Sequence, residues 1–167
     1  IESKIFDEVM VSTDDHEIAE IAKKCGAQIP FFRSQESSND YATTADVIFE
    51  VLKTYEKINK IFENFCCIYP TAPFITSKKL KEGFSILEQQ NCHSVIPVVN
   101  FSFPIQRAVC IENNRLVLRE PQHLNSRSQD LPVCYHDCGQ FYIGRTKPFF
   151  EKKKLFTENT APLVMSE

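Results

Sequence analysis

Two short apolar runs, FCCIYP (65–70) and SVIPVVN (94–100), flank one helical-period segment, TSKKLKEGFSILEQQN. Pro70 closes the first run, and Thr76 or Ser77 can cap the helix. The same alternation holds upstream. EVMVSTDD (8–15) reads as a buried strand whose Asp14 or Asp15 caps the next helix. In HEIAEIAKKCGA, Ile18, Ile21, Ala22 and Cys25 recur at helical spacing, and Gly26 ends the helix. AQIPFFR (27–33) reads as a strand with Pro30 at an edge or bend. SQESSND (34–40) is a polar loop. YATTADVIFEVLKTYEKI reads as a long helix with Ala45, Ile48, Phe49 and Leu52 on one side. Alternation of this kind predicts an α/β domain with a largely parallel sheet. Ligands of such sheets sit outside the carboxyl ends of the strands. STDD, the 34–40 loop and YPTAPF (69–74) are therefore candidates for a pocket rim.

After residue 100 the pattern changes. CIENNRLVLRE reads as a hairpin turning at Asn113-Asn114. A strand is expected at 140–144 and a short helix near TKPFFEKK. The whole, 1–167, is expected to be a single partial domain with an inserted hairpin or arm around 100–138. Its 167 residues suffice to bury about 70% of the unfolded surface. Ile1 to Phe6 reads as the end of a helix whose beginning is absent, and APLVMSE stops just after an apolar run. The chain is expected to be the middle of a longer protein.

The formal net charge of -3 argues against a nucleic-acid or anionic-membrane surface. No apolar run approaches the roughly 18 residues that span a bilayer. Seven cysteines, at 25, 66, 67, 92, 110, 134 and 138, form no Cys-x-x-Cys pair. Most lie in apolar runs, where a free thiol acts as a small hydrophobe. A reducing, cytoplasmic location is expected.

Several residues could carry chemistry. Arg33 ends an apolar strand, where a cation usually has a partner. Asp40, Thr43 and Thr44 precede a helix, and either cap it or present its N-terminus to a ligand. Pro70 and Pro73 stiffen the turn after the 65–70 run. Gln106 and Arg107 follow a proline turn and could hold a carboxylate; Arg107 could equally be a surface charge. In RSQDLPVCYHDCGQFYIG (127–144), Cys134, His136 and Cys138 alternate as if on one strand face. Zinc usually takes four such ligands, and only Cys92-His93 could complete the set. The metal reading is the weaker one.

Taken in order, VSTDDHEIAEIAKKCGAQIPFFR, SNDYATTADVI and YPTAPF resemble the acylneuraminate cytidylyltransferases. FPIQRA, RSQDLP and YHDCGQFYIG look most like the branch that activates pseudaminic acid, which typically has Ala in place of Cys138. The resemblance implies a Rossmann-like three-layer α/β/α nucleotidyltransferase fold with an inserted dimerisation arm, and a homodimer. It implies that CTP and a nine-carbon 2-keto sugar acid give a CMP-sugar and pyrophosphate. The anomeric hydroxyl would attack the α-phosphorus in line, with Mg²⁺ neutralising charge.

By position, the resemblance implies that Arg33, Asp40, Ala42, Thr44 and Tyr69 line the nucleotide. Tyr69 stands where sialic acid synthetases commonly have Gln. Gln106, Arg107, Gln140, Tyr142 and Phe156 would meet the sugar, Phe156 matching an aromatic that can come from the partner subunit. Gln106 stands where a sialic acid enzyme has Lys. Arg127, Asp130 and Asp137 would order the loop or touch polar sugar groups. The family's phosphate loop has no counterpart here, and its metal-binding Asp-x-Asp is expected beyond the C-terminal end. Asp14 and Asp15 are not those aspartates. No catalytic or metal residue is expected in this segment, which alone is expected to be inactive. The alternatives are a sialic, legionaminic or 3-deoxy-manno-octulosonic acid cytidylyltransferase, a non-catalytic nucleotide- or sugar-binding homologue, and a glycosyltransferase of similar fold.

Overall fold

The computed structural model describes residues 1–166. They divide into two units, Ile1–Ile96 with Gly139–Leu163, and Pro97–Cys138 with the residues from Val164.

In the first unit, α1 (His16–Lys24) starts at Asp15, whose carboxylate accepts from the N–H groups of Glu17 and Ile18. Gly26, at φ 89°, turns the chain out of it. The apolar face expected here is only partly inward. Ala19 and Ala22 are buried, while Ile18, Ile21 and Cys25 are exposed. Helix α2 (Thr44–Lys57) opens with a capping box between Thr43 and Asp46. Strand β1 (Asn64–Ile68), helix α3 (Ser77–Gln89, capped by Thr76) and strand β2 (Ser94–Asn100) follow in the predicted order. Strand β2 passes from the first unit into the second.

The second unit carries a hairpin of β3 (Val109–Glu112) and β4 (Arg115–Leu118). Asn113 and Asn114 both take positive φ at its turn. Strand β5 (Tyr135–Asp137) pairs antiparallel with β2 through Val98–Asp137 and Asn100–Tyr135.

Back in the first unit come β6 (Phe141–Arg145), α4 (Thr146–Lys152) and β7 (Thr160–Val164). Strand β7, which pairs with β2, was not among the sequence expectations. The largely parallel sheet needs correction. The β1–β6 and β2–β6 ladders are both antiparallel, with β6 between the other two. Strands β1 and β2 therefore run the same way, as their intervening helix requires. Strand–helix–strand alternation foretells that relation, but not a later strand entering between them.

Two other expectations fail. Residues 8–15 and 27–33 meet in a single parallel bridge, Met10–Gln28, rather than as two strands. Gln28 bonds Val9 and Val11, and the next link is Arg33 N–H to Thr13 O. Pro30 lies between them and has no N–H to give. Residues 1–6 form a turn rather than a helix end, with Lys4 at φ 55°.

The core uses both faces of β6. On one, Phe141 and Ile143 are fully buried, and Ile143 lies where a Cβ on Gly83 of α3 would have to be. On the other, Tyr142 and Gly144 oppose Cys67 and Phe65 of β1. Phe65 and Cys67 pack on the cluster of Ile48, Leu52 and Phe149. Glu8 fastens this side. Burial opposes its ionisation, but hydrogen bonds from Lys60 and Tyr55 prevail and hold its carboxyl below the ordinary value.

A Cβ on Gly144 would lie 2.5 Å from the Phe65 ring. Gly144→Ala is expected to cost about 1–3 kcal/mol by overpacking. A urea midpoint unchanged from the parent would contradict that packing.

Candidate functional site

Three elements of the first unit converge on Tyr69. It follows β1 directly, and its N–H donates to the Gln140 carbonyl at 2.9 Å, continuing the β1–β6 ladder by one step. The chain then turns, with Ala72 N–H returning to Tyr69 O at 3.1 Å. Pro70 and Pro73 bracket that turn. The Tyr69 hydroxyl shares a 2.5 Å hydrogen bond with Thr44 Oγ1, at the first residue of α2. Its ring meets Tyr142 edge to face, with centroids 5.4 Å apart at 83°. The fold thus brings together Thr44, Tyr69, Gln140 and Tyr142. Tyr142 is 7% exposed, so its ring is largely wall. The side-chain oxygen of Gln140 is buried without a hydrogen-bond partner. Phe141, between them, is fully buried in the core.

The 33–43 loop is built by its own polar side chains. Arg33 donates from its backbone to Thr13 O and from Nη2 to Ser12 O, at 2.9 Å each. Arg33 Nε and Ser12 Oγ are buried without partners. Ser34 gives its N–H and hydroxyl to the two oxygens of Glu50, each at 2.8 Å. Burial opposes ionisation of Glu50, but bonds from Ser37 and Ser34 and the nearby Arg33 charge lower its pKa. Ala42 N–H is taken by Asn39. Asp40 is exposed and is not the cap; Thr43 is. Ser12, Asn39 and Glu50 escaped the sequence reading. Their roles rest on long-range contacts or a turn without periodicity.

Phe156 lies elsewhere in this unit. It is 75% exposed and lines an open depression with Lys152, Lys154, Thr157 and Glu158.

The remaining predicted residues belong to the second unit. Gln106 is only 8% exposed. Its amide nitrogen donates to Pro132 O at 3.0 Å and to Cys134 Sγ at 3.1 Å, while its oxygen is buried without a partner. Arg107 is exposed and reaches Ser128 Oγ at 3.4 Å. Arg127 pairs with Asp130 at 3.0 Å, and both side chains are exposed. Asp137 is exposed on β5, and its carbonyl faces His136 Nδ1 at 3.0 Å.

The alternating trio in this stretch spends its atoms elsewhere. Cys134 donates to Pro132 O, Cys138 donates to Pro97 O, and His136 packs on Phe101. Only 135–137 is strand, so the trio does not share one strand face. Among the described residues, no three His, Cys, Asp or Glu side chains gather as a metal would need. Asp15 caps α1. The described residues therefore do not fit the magnesium ion that the resemblance implies. No helix among the described residues is long and apolar enough to cross a membrane.

The sequence pattern of the cytidylyltransferases matches residues 1–161. The chain belongs to that family. It is 37% identical over 166 residues to pseudaminic acid cytidylyltransferase of Campylobacter jejuni, spanning 99% of this chain and 72% of that protein. It is 30% identical over 167 residues to CMP-N,N'-diacetyllegionaminic acid synthase of Campylobacter jejuni, spanning 99% and 71%. The solved structure of CMP:2-keto-3-deoxy-manno-octonic acid synthetase complexed with CTP superposes with a TM-score of 0.58 at 14% identity. It covers 95% of this chain and 73% of that one. At that identity the likeness establishes a shared fold.

Cys66 and Cys67 lie on the strand leading to Tyr69. Burial pushes both thiols up, Cys67 to about 11, and Cys67 adds its charge against Cys66. Near pH 8, a thiol reagent is expected to label exposed Cys25 and Cys110 in the native protein and to spare this pair. Peptide mapping that found Cys66 or Cys67 labelled as fast as Cys25 would contradict the burial. The unfolded chain releases the Cys67 proton near its ordinary value of 9.0, while the folded chain holds it to about 11. Stability due to this group is therefore lost as pH rises through that window.

Proposed function

We propose that the protein transfers the cytidylyl group of CTP to pseudaminic acid, giving the CMP-sugar and pyrophosphate. The observation that carries this reading is the 37% identity, over 99% of this chain and 72% of the relative, to an enzyme named for that sugar. The anomeric hydroxyl of the sugar gives up its proton to solvent as its oxygen forms a bond to the α-phosphorus. The bond from that phosphorus to the bridging oxygen breaks, and pyrophosphate leaves with the electron pair. Such chemistry needs mainly alignment and charge neutralisation.

The chain's own residues supply alignment. In this reading Arg33, Asp40, Ala42, Thr44 and Tyr69 serve the nucleotide. The Ala42 carbonyl, its N–H partner already engaged, suits an exocyclic amine of the base. The Thr44 hydroxyl suits the ribose. Gln140 and Tyr142 serve the sugar, with Gln106, Arg107 and Phe156. Arg107 offers a cation for the sugar carboxylate. The unpartnered oxygens of Gln106 and Gln140 could take donors from the sugar's hydroxyl or amide groups. Arg127, Asp130 and Asp137 order the approach or meet those polar groups. Magnesium would be held outside the described residues. A cytoplasmic homodimer, acting without nucleic acid or membrane, completes the reading.

The test is pyrophosphate release by the full-length chain with CTP and pseudaminic, legionaminic, sialic or 3-deoxy-manno-octulosonic acid. Pseudaminic acid is expected to give the highest kcat/KM. Preference for another acid would replace the substrate, and release with none would remove the reading. Arg33→Ala should raise KM for CTP about tenfold or more, as loss of a charged hydrogen bond implies. KM for the sugar should move less than twofold, and equal rises would argue against Arg33 as a nucleotide contact.

A further inference from the structure

We propose that Tyr69 is a positioning residue that couples nucleotide binding to sugar binding. The inference rests on the functional reading above, and goes beyond it by joining the two substrate sets through one side chain. Tyr69 has three contacts, and they point to different sets. Its hydroxyl bonds Thr44, assigned to the nucleotide. Its ring meets that of Tyr142, assigned to the sugar, in a T-shaped contact. Its N–H holds the carbonyl of Gln140, also assigned to the sugar.

The hydroxyl pair has a useful ambiguity. Each oxygen carries one hydrogen and can accept, and the bond between them consumes one hydrogen. When Tyr69 donates, the Thr44 hydrogen is left to donate outward. When Thr44 donates, the Tyr69 hydrogen is left instead. A nucleotide oxygen that accepts from Thr44 selects the first arrangement and fixes the Tyr69 hydroxyl as donor. The backbone of Tyr69 is restricted by the Pro70 that follows it and by its own N–H bond to the Gln140 carbonyl. Holding its hydroxyl therefore holds the ring against which Tyr142 packs. The sugar side meets a wall already set, and less ordering remains for it to impose. Coupling of this kind is reciprocal and typically 5- to 150-fold, on the order of 1–3 kcal/mol.

The experiment uses the full-length protein, a non-hydrolysable CTP analogue and the sugar acid that the wild type turns over best. The sugar's Kd is measured with and without saturating analogue. In the wild type the analogue is expected to tighten the sugar about fivefold or more. Tyr69→Phe keeps the ring and removes the hydroxyl. It should leave the sugar's Kd without nucleotide within twofold, weaken the analogue several-fold, and bring the coupling factor close to one. Thr44→Val should reproduce this pattern, and the double variant should be no worse than the worse single one. A merely structural role would weaken both ligands together and leave their ratio intact. The proposal is overturned if Tyr69→Phe preserves the coupling factor, if both ligands weaken equally, or if the two substitutions add. Wild-type protein that binds neither the analogue nor any of the acids would instead remove the functional reading itself.

Discussion

The antiparallel seating of β6 between β1 and β2 is the constraint on which the first unit depends. Its five residues pair in register with all five of β1. Because side chains alternate, this single register decides both faces at once. Phe141 and Ile143 fill the side under α3, and Tyr142 and Gly144 fill the side toward Phe65 and Cys67. A slip of one residue would exchange the two sets. The strand's last residue adds a lock. Arg145 donates to the carbonyls of Cys92 and Leu87, near the end of α3, and pairs with Glu88 and Glu63. Leu87 lies in the last turn of α3, where carbonyls need partners from outside the helix.

The same register builds the candidate site. Gln140 lies one residue before β6, so its carbonyl is the next acceptor along the ladder, and Tyr69 is the next donor on β1. The ladder therefore ends by placing Tyr69 beside Tyr142. Helix α2 contributes its first residue at the same place. Its buried side, Ile48 and Leu52, packs in the cluster that also receives Phe65 and Cys67. Packing of that apolar stripe sets the height of the helix start, and with it the position of Thr44. Hydrophobic burial thus determines a polar geometry that no local rule specifies.

Local rules made much of this legible in advance. Helices α2 and α3 follow from periodicity and from Thr43 and Thr76 as caps. The asparagine pair turns the hairpin as its tolerance of positive φ allows. Where the reading failed, a distant partner decided. The apolar run at 8–11 had the composition of a strand, yet its partner segment carries Pro30, and only one bridge forms. The parallel sheet follows from the whole alternation from residue 8 to residue 100, of which β1, α3 and β2 do run as expected relative to each other. Strand β6 arrives from across a long excursion, and sequence neighbours hold no record of where it inserts. The site divides in the same way. The ordered motifs revealed which residues to examine, but the Thr44–Tyr69 bond spans 25 positions and follows no period.

The chemistry of tyrosine explains why position 69 can serve two neighbours of different character. A ring edge against an aromatic face is worth about 0.5–1.5 kcal/mol beyond the area it buries, and it fixes an orientation. A hydroxyl at the far end of that ring meets Thr44 without competing for the same surface. Phenylalanine would keep the first contact and lose the second. Glutamine could bond Thr44 but would offer no ring to Tyr142. The residue at 69 is therefore tied to two others at once, by hydrogen bonding to one and by shape to the other. Tyr142 in turn owes its place to the β6 register, and Thr44 owes its place to the packing of α2. An exchange at any of the three would have to answer to both the helix and the strand.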